Sequence, residues 1–366
     1  MQTKQYPFYL QATTVLFGLI LFVYVLSTLA DILIPLAFSV FIAILLNRLC
    51  NRLQRAKIPK VMSIVISMLI AVIIIAGIFY FLSSQIVSFG DTLPTLKAKF
   101  AQITVDLKNF VHDKFGIDTR KQVKFINDAV NNSKSLLGKT LNTVLGTLSI
   151  IFLIPIYVFL MLLYKTLILN FIYEVFSEEN SLRVGEILTE TKAAIQSYIV
   201  GLLTEALIVA IMNSAALLLL GVPYAILIGV IGALLNMLPY IGGLIAIALP
   251  VLMATVTHDG YSTQLGVIGA YLVIQFIDNN ILVPRIVSSK VQINALISII
   301  AVFLGNALWG LSGMFLCIPF IAVLKIVFDR IDDLKPWGKL LGDNIPTRNI
   351  GRIWQLRSKR TVKTVE

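Results

Sequence analysis

The chain has 366 residues, of which 58% are hydrophobic and only 13% are charged. Soluble domains carry about 25% charged residues, so this composition and a mean hydropathy of +0.89 exclude an ordinary soluble protein. The apolar runs are continuous, whereas membrane β-barrels alternate within segments of about ten residues. The net charge of +11 lies mainly in short loops and the C-terminal tail, where Lys and Arg set membrane orientation. We therefore expect a polytopic helical membrane protein in a lipid bilayer, with no nucleic-acid partner.

The sequence carries no signature of catalysis or of a cofactor. Cys50 and Cys317 lie in or beside apolar runs, and His112 and His258 lie in separate polar segments. This spacing predicts neither a disulfide framework nor a metal site. A glycine-rich phosphate loop with its lysine is also missing, which argues against ATP as the energy source. We expect a protein that is not an enzyme and that holds no cofactor.

Three apolar segments open the chain, at residues 8–30, 32–49 and 61–84, and predict an N-terminal three-span bundle over residues 1–84. The first segment has no small-residue cleavage site, so we expect a retained span. The loop after the second span carries basic residues and no acid, namely Arg48, Arg52, Arg55, Lys57 and Lys60. The positive-inside rule places this loop, and hence the N-terminus, in the cytoplasm.

The next segments alternate between polar and apolar character. Residues 85–140 are polar with apolar residues at helical spacing, which predicts amphipathic helices on the outer face. Residues 141–196 predict a fourth span, at 141–164, followed by a cytoplasmic amphipathic helix. Residues 329–366 are rich in Lys and Arg and predict a cytoplasmic C-terminal tail.

An uncharged stretch at residues 221–255 is the central feature of the sequence. It is too long for one span of about 20 residues and too short for two. Pro239 disfavours helix around it, and Gly242 and Gly243 accept turn conformations. We predict a re-entrant helical hairpin with its tip at residues 236–243; an ordinary kinked span is the alternative.

A second apolar stretch, at residues 293–327, repeats this pattern. Asn236 precedes Pro239 by three residues, and Asn306 precedes Trp309 by three. Each stretch follows a full span, so a unit of span plus hairpin occurs twice within a transport core at residues 197–328. A hairpin returns to the side from which it entered, so the second unit is inverted relative to the first. The alternative is a chance similarity of a few Asn, Gly and Pro positions.

These patterns predict an all-α membrane protein with six full spans and two re-entrant hairpins in an inverted repeat. Simple counting of the apolar stretches would give eight. Both termini are then cytoplasmic.

Three blocks of sequence carry a resemblance to a known family: LLGVPYA at 219–225, LPYIG at 238–242 and DNNILVPRIV at 278–287. They resemble the autoinducer-2 exporter family of bacterial membrane proteins. The resemblance implies export of a small polar signal from a bacterial inner membrane, or exchange of Na⁺ or Li⁺ for protons as in some relatives. It also implies a homo-oligomer, with a pentamer suggested, and an elevator-like movement. This chain has Gly243 and Ser288 where the family usually has Pro and Gly.

Polar groups at the two breaks form the candidate binding site. Asn236 and Asn306 each offer hydrogen-bond donors and acceptors, which suits a hydroxylated neutral solute. We expect them to face one shared cavity near the midplane; the alternative is that they only satisfy broken backbone. The candidate substrate-binding residues are Asn236, Pro239, Tyr240, Gly242, Gly243, Asn306, Gly310 and Gly313.

Ionisable groups within spans are the candidates for coupling and gating, because such groups are costly in the bilayer. Glu205 lies well inside its span and is the better proton-coupling candidate. Asp278 and Arg285 lie seven residues apart. They form either a gate in which Asp278 is a coupling carboxylate, or an interfacial cap in which the Arg285 side chain extends to the membrane surface. We expect the helix to end before Pro284. The coupling or gating candidates are Glu205, Asp278, Asn279, Asn280, Pro284 and Arg285.

Two classes of function remain open on the sequence alone. The first is a secondary transporter for a small molecule or a cation, and the second is a membrane scaffold that does not transport. A scaffold would not need paired interrupted helices with an Asn at each break, so the pattern favours transport.

Overall fold

A computed structural model gives the fold and describes residues 7–115, 152–176, 181–238, 242–258, 260–287 and 293–343. Regular structure within these ranges is helical, apart from one isolated β-bridge between Ile293 and Gly342. Six of the described helices are long and apolar enough to cross a membrane, and a bent helix pair supplies a seventh candidate. The predicted class, an all-α polytopic membrane protein, is confirmed.

The first three predicted spans lie in α1 (Phe8–Thr28), α2 (Ala30–Arg55) and α3 (Lys60–Phe115). The helix α3 does not end with the predicted third span. It continues through Phe115, because a change from apolar to polar residues does not itself interrupt the backbone ladder. The rest of the predicted amphipathic segment and the first part of the fourth span lie outside the described residues.

The described part of the fourth span is α4 (Phe152–Leu163), which meets α5 (Lys165–Val175) at 66°. Lys60 donates from Nζ to the backbone oxygen of Leu163 at 2.7 Å. Helix C-termini leave carbonyl oxygens without intrahelical partners, so this lysine caps α4. Lys165 donates to Asn47 Oδ1 at 3.2 Å. The start of α3 is thereby joined to the end of α4, and the start of α5 is joined to α2.

The helix α6 (Ser181–Leu219) is the element against which α2, α7, α9 and α10 pack. The predicted cytoplasmic helix runs into the fifth span without a break, and 39 residues give a length of about 58 Å. Near its start, Glu186 and Glu190 pair with Arg330 at the end of α10. Both acids are exposed, and through Arg330 they tie α6 to α10.

The predicted first hairpin is formed by α7 (Ala225–Asn236) and α8 (Gly242–Thr257). Its open end is closed by a core in which Ala225 packs with Met253 and Ala254. At the other end, a Cβ added to Gly242 would collide with the backbone oxygen of Leu235. This close approach requires glycine. Because α7 ends at Asn236 and α8 begins at Gly242, the predicted helix break is confirmed. Residues 239–241 lie outside the described residues.

The second hairpin is formed within α10 (Ala295–Arg330), whose backbone is non-helical at Trp309 and Gly310. Asn294 caps the start of α10. Its backbone N–H donates to the backbone oxygen of Leu341 at 3.0 Å, at the end of α11 (Lys335–Leu341). The start of α10 therefore lies close to the helix that follows its end. A straight helix of 36 residues would hold its ends about 53 Å apart, beyond the reach of the short link to α11. The chain therefore folds back at Trp309–Gly310.

One helix connects the two hairpins. The helix α9 (Ser262–Ile277) begins five residues after α8 and continues directly as a π-helix, Asp278–Val287. The first hairpin opens near the start of α9 and the second opens beyond the end of the π-helix. The two hairpins therefore point in opposite directions along α9, as expected for the inverted arrangement.

Candidate functional site

Two buried carboxyl groups on different helices meet within the packed helices. Glu205 on α6 is 6% exposed, and Asp278 at the start of the π-helix is 2% exposed. Their side chains interact with each other. Asn236, the last residue of α7, donates from Nδ2 to Asp278 Oδ2 at 2.8 Å. We call these three residues the carboxyl centre.

The carboxyl centre has unused capacity to accept hydrogen bonds. Within the described part of the chain, Asp278 Oδ1 is buried and has no hydrogen-bond partner. Buried polar atoms are almost always paired with protein or water. Two neighbouring carboxyl groups at this depth are stable only when they share a proton or bind a cation, because two unpaired negative charges are costly there. The site can therefore take up and release a proton, a cation or a polar ligand.

Gln275 on α9 extends this centre towards the tip of the first hairpin. A Cβ added to Gly243 would collide with Gln275 Oε1 and would lie 3.2 Å from Asn236 Oδ1. The absence of a side chain at Gly243 thus lets both amides reach the hairpin. Gln275 was not predicted from the sequence, because a single amide in an apolar span carries no pattern of its own.

A line of buried polar side chains continues from the carboxyl centre. Along α9 and into the first residue of the π-helix, Gln264, Tyr271 and Asp278 are spaced by seven residues. On α6, Asn213 follows Glu205 by eight residues. Such spacings keep side chains on one face over two helical turns. Among the described residues, Asn213 Oδ1, Gln264 Oε1 and Tyr271 Oη are buried without a hydrogen-bond partner. Several adjacent unpaired polar atoms make this polar column suitable for ordered water.

The spacing of the polar column was visible in the sequence. Its signal was the recurrence of a polar side chain at every seventh position of α9. The broken helices are marked by Pro and Gly, whereas the unbroken helix between them is marked by this spacing alone.

The predicted site residues of the second hairpin lie elsewhere. Asn306 and Gly310 are exposed, whereas Gly313 is buried so closely against Gly305 that a Cβ would collide with its backbone oxygen. The described contacts join Asn236 to Asp278, and none joins it to Asn306. Pro239 and Tyr240 lie outside the described residues.

The predicted gating residues separate into buried and exposed groups. Asp278 is buried, whereas Asn279, Asn280, Pro284 and Arg285 are exposed. The expectation that the helix ends before Pro284 is wrong, because the chain continues as a π-helix through Val287. Asn280 donates from Nδ2 to the backbone oxygen of Phe276 at 2.8 Å, pairing a carbonyl where the helix type changes. Short π-helical segments are frequent at functional sites.

The sequence as a whole matches a defined protein family. The pattern that describes the AI-2E family transporters covers residues 15–333 of the chain. The chain belongs to this family. The matched region includes the carboxyl centre and both hairpins, and the protein is a multi-pass membrane protein of a transporter family.

Curated relatives match this chain over more than half of their own length. The AI-2 transport protein TqsA of Escherichia coli K12 is 27% identical over 318 residues, covering 86% of this chain and 90% of TqsA. YrrI of Bacillus subtilis, provisionally named a transport protein, is 26% identical over 310 residues, covering 81% of this chain and 85% of YrrI. The provisionally named permease PerM of Escherichia coli K12 is 27% identical over 202 residues, covering 54% of this chain and 57% of PerM.

Proposed function

We propose that this protein is a secondary transporter that exports a small polar solute across the bacterial inner membrane and exchanges protons at the carboxyl centre. The observation that carries the proposal is the environment of Asp278. One of its oxygens is held by Asn236 of the first hairpin, and the other is buried with no partner among the described residues. A group of this kind binds and releases ligands within the bilayer.

The centre is assembled from three separate segments, which suits a transport cycle. Glu205 belongs to α6, Asp278 to the π-helix and Asn236 to the first hairpin. Movement of the hairpin breaks the contact between Asn236 and Asp278 without unfolding any helix. Broken helices that meet polar groups at mid-membrane depth are a recurring arrangement in transporters.

The proposed solute is small, polar and without net charge, such as autoinducer-2. The name of TqsA refers to transport of autoinducer-2, and the similarity of TqsA to this chain supports this class of solute. The amide groups of Asn236 and Gln275 lie together at the hairpin tip. Amides both donate and accept hydrogen bonds, so they match hydroxyl groups on a solute.

A second candidate is exchange of Na⁺ or Li⁺ for protons. The pair of Glu205 and Asp278 favours it, because oxygen-rich carboxyl sites bind hard cations and protons in competition. The two candidates differ in the role of the amides: solute export needs Asn236 and Gln275, whereas cation exchange needs mainly the carboxyl pair.

We further propose that the protein forms a homo-oligomer with cytoplasmic termini. The family resemblance supports the assembly, as does α1, in which no residue is buried within the chain. The basic loop after α2 supports the orientation.

Flux measurements in proteoliposomes test the transport mechanism. Glu205→Gln and Asp278→Asn keep the side-chain shapes and remove the ionisable groups. We expect proton-driven uphill flux of autoinducer-2, or of Na⁺, to fall below about one tenth of the wild-type rate, while downhill exchange survives in Glu205→Gln. Glu174→Gln, which changes an exposed carboxyl group on α5, is the matched control.

The outcome separates the hypotheses. Unchanged uphill flux in both carboxyl variants would remove the carboxyl centre from the mechanism. Flux of neither solute nor cation in the wild-type protein would favour the scaffold hypothesis instead.

A further inference from the structure

A pocket of about 740 Å³ lies between the end of α2 and the middle of α6. Basic side chains from both helices line it: Arg48, Arg52 and Arg55 from α2, and Lys192 from α6. All four are exposed, so their charged groups are accessible to a ligand. Asn51 and Gln196 add amide groups to the wall. We call this cavity the basic pocket.

The helical register directs these side chains to one place. Arg48, Arg52 and Arg55 follow each other by four and three residues, which puts them on one face of α2. Lys192 and Gln196 are four residues apart on α6 and lie on the face that α6 turns towards α2. Two regular helices of the bundle therefore hold the four positive charges around one cavity.

The positive charges of the basic pocket are not neutralised by its own lining. No carboxylate is among the described residues that line it. The acids near this end of α6, Glu186 and Glu190, are paired with Arg330 of α10. Burial and the nearby charges of Lys192 and Lys60 lower the pKa of Lys165, which starts α5 beside this region. The local field is therefore positive and favours an anion.

The identity of the lining residues narrows the class of anion. Guanidinium groups present parallel N–H donors that match phosphate oxygens in a bidentate geometry. Pockets of about 300–1,000 Å³ hold small organic ligands. Basic pockets between helices on the cytoplasmic side of membrane proteins bind phosphate-bearing lipid head groups. The chemical group that lipid head groups and soluble phosphate compounds have in common is the phosphate group.

We propose that the basic pocket binds a phosphate group, carried either by an anionic lipid head group or by a soluble phosphate compound. The bound phosphate joins α2 to α6 by hydrogen bonds from both helices and offsets the repulsion between four cations. The pocket wall extends along α6 to Thr204, which directly precedes Glu205. Occupancy thus adds a constraint on the helix that carries the carboxyl centre, and the proposal stands whichever solute is transported.

Binding of two probes to the full-length protein tests this site and identifies the source of the phosphate. Pyrophosphate is titrated calorimetrically against protein in phosphatidylcholine nanodiscs, and cardiolipin retention is measured by native mass spectrometry after release from detergent. We expect the double variant Arg48→Gln/Arg52→Gln to weaken binding of at least one probe by about tenfold or more, because it removes charge-assisted hydrogen bonds. Arg48→Lys/Arg52→Lys keeps the positive charges and loses the bidentate guanidinium geometry. Its affinity for the probe should lie between that of the wild-type protein and that of the Gln double variant.

The matched control is Lys57→Gln/Lys339→Gln, which removes two exposed positive charges outside the pocket lining. Gel filtration and thermal unfolding without phosphate confirm that each variant is folded. Loss of cardiolipin alone identifies a lipid head group, and loss of pyrophosphate alone identifies a soluble phosphate. Equal binding by pocket and control variants, or no binding of either probe by the wild-type protein, would overturn the proposal.

Discussion

At the scale of single residues, the decisive contact is the hydrogen bond from Asn236 to Asp278. It joins the first hairpin to the π-helix across 42 positions of sequence. Burial makes the bond consequential, since an acceptor left unpaired inside the protein costs more than the same loss at the surface. The structure thus gives Asn236 a partner different from the one that the sequence pattern suggested.

A double-mutant cycle distinguishes the two partners. Asn236→Ala leaves Asp278 without its donor, and we expect the free energy of unfolding in detergent micelles to fall by about 1–3 kcal/mol. Asn306→Ala changes an exposed side chain and should stay within about 0.5 kcal/mol. The pair Asn236→Ala/Asp278→Ala should be non-additive by about 0.5–3 kcal/mol, whereas Asn236→Ala/Asn306→Ala should be additive. Coupling between the two asparagines and additivity with Asp278 would support the sequence-based shared cavity instead.

The sequence predicted the components of the site better than their pairing. Asn236, Glu205 and Asp278 were all selected, because an amide at a helix break and acids in apolar spans stand out from their surroundings. Their contact depends on how α6, α7 and α9 pack, which is tertiary information. Gln275 and Gln264 were missed because an uncharged amide in a span gives a weaker signal than a carboxylate.

At the scale of elements, the second hairpin depends on a close backbone approach between Gly305 and Gly313. A Cβ on Gly313 would collide with the backbone oxygen of Gly305 and would lie 3.1 Å from Trp309 Cβ. The cluster of Ala301, Val302, Met314 and Cys317 packs behind this contact. The fold-back is therefore held by backbone proximity and not only by the turn.

Gly313→Ala should consequently destabilise the second hairpin. Overpacking of this kind costs about 1–3 kcal/mol, and we expect a lower midpoint in thermal unfolding of the detergent-solubilised protein. Gly269→Ala on α9 is the control, because no atom lies within 4 Å of its added Cβ and alanine favours helix by about 0.5–1 kcal/mol. If both variants unfold at the wild-type temperature, the two halves of α10 do not approach this closely.

The sequence located both helix breaks because proline and glycine act on the local backbone. It did not give the lengths of α3 and α6, since a change from apolar to polar residues marks where a membrane ends and not where a helix ends. The π-helix after Ile277 was also not predicted. Its wider turns accommodate Pro284, which an α-helical interpretation takes as a stop signal.

At the scale of the whole molecule, the order of hairpins and spans fixes which loops share a side. Counting both hairpins as returns places Tyr261 outside and Lys339 on the cytoplasmic side. Counting both hairpins as full crossings places Tyr261 and Lys339 on the same, cytoplasmic side. The loop before α9 is therefore the most informative position for topology.

Single cysteines at these two exposed positions test the arrangement. With a membrane-impermeant maleimide, we expect Tyr261→Cys to react only from the outside and Lys339→Cys only from the cytoplasmic side. The native Cys50 and Cys317 are buried, so their background labelling should be low, and the parent protein measures it. Labelling of Tyr261→Cys from the cytoplasmic side would replace the first hairpin with a full crossing.

The two hairpins, although similar in pattern, are anchored unequally. Trp309 at the turn of α10 donates from Nε1 to the backbone oxygen of Leu26 at 3.0 Å, and Asn294 at the opposite end donates to Leu340 at 2.7 Å. The second hairpin is thus fastened at its tip to α1 and at its base to α11. The first hairpin meets the π-helix through Asn236 alone among the described hydrogen bonds at its tip. The second hairpin is therefore the fixed element, and the first hairpin is the element free to move once its bond to Asp278 opens.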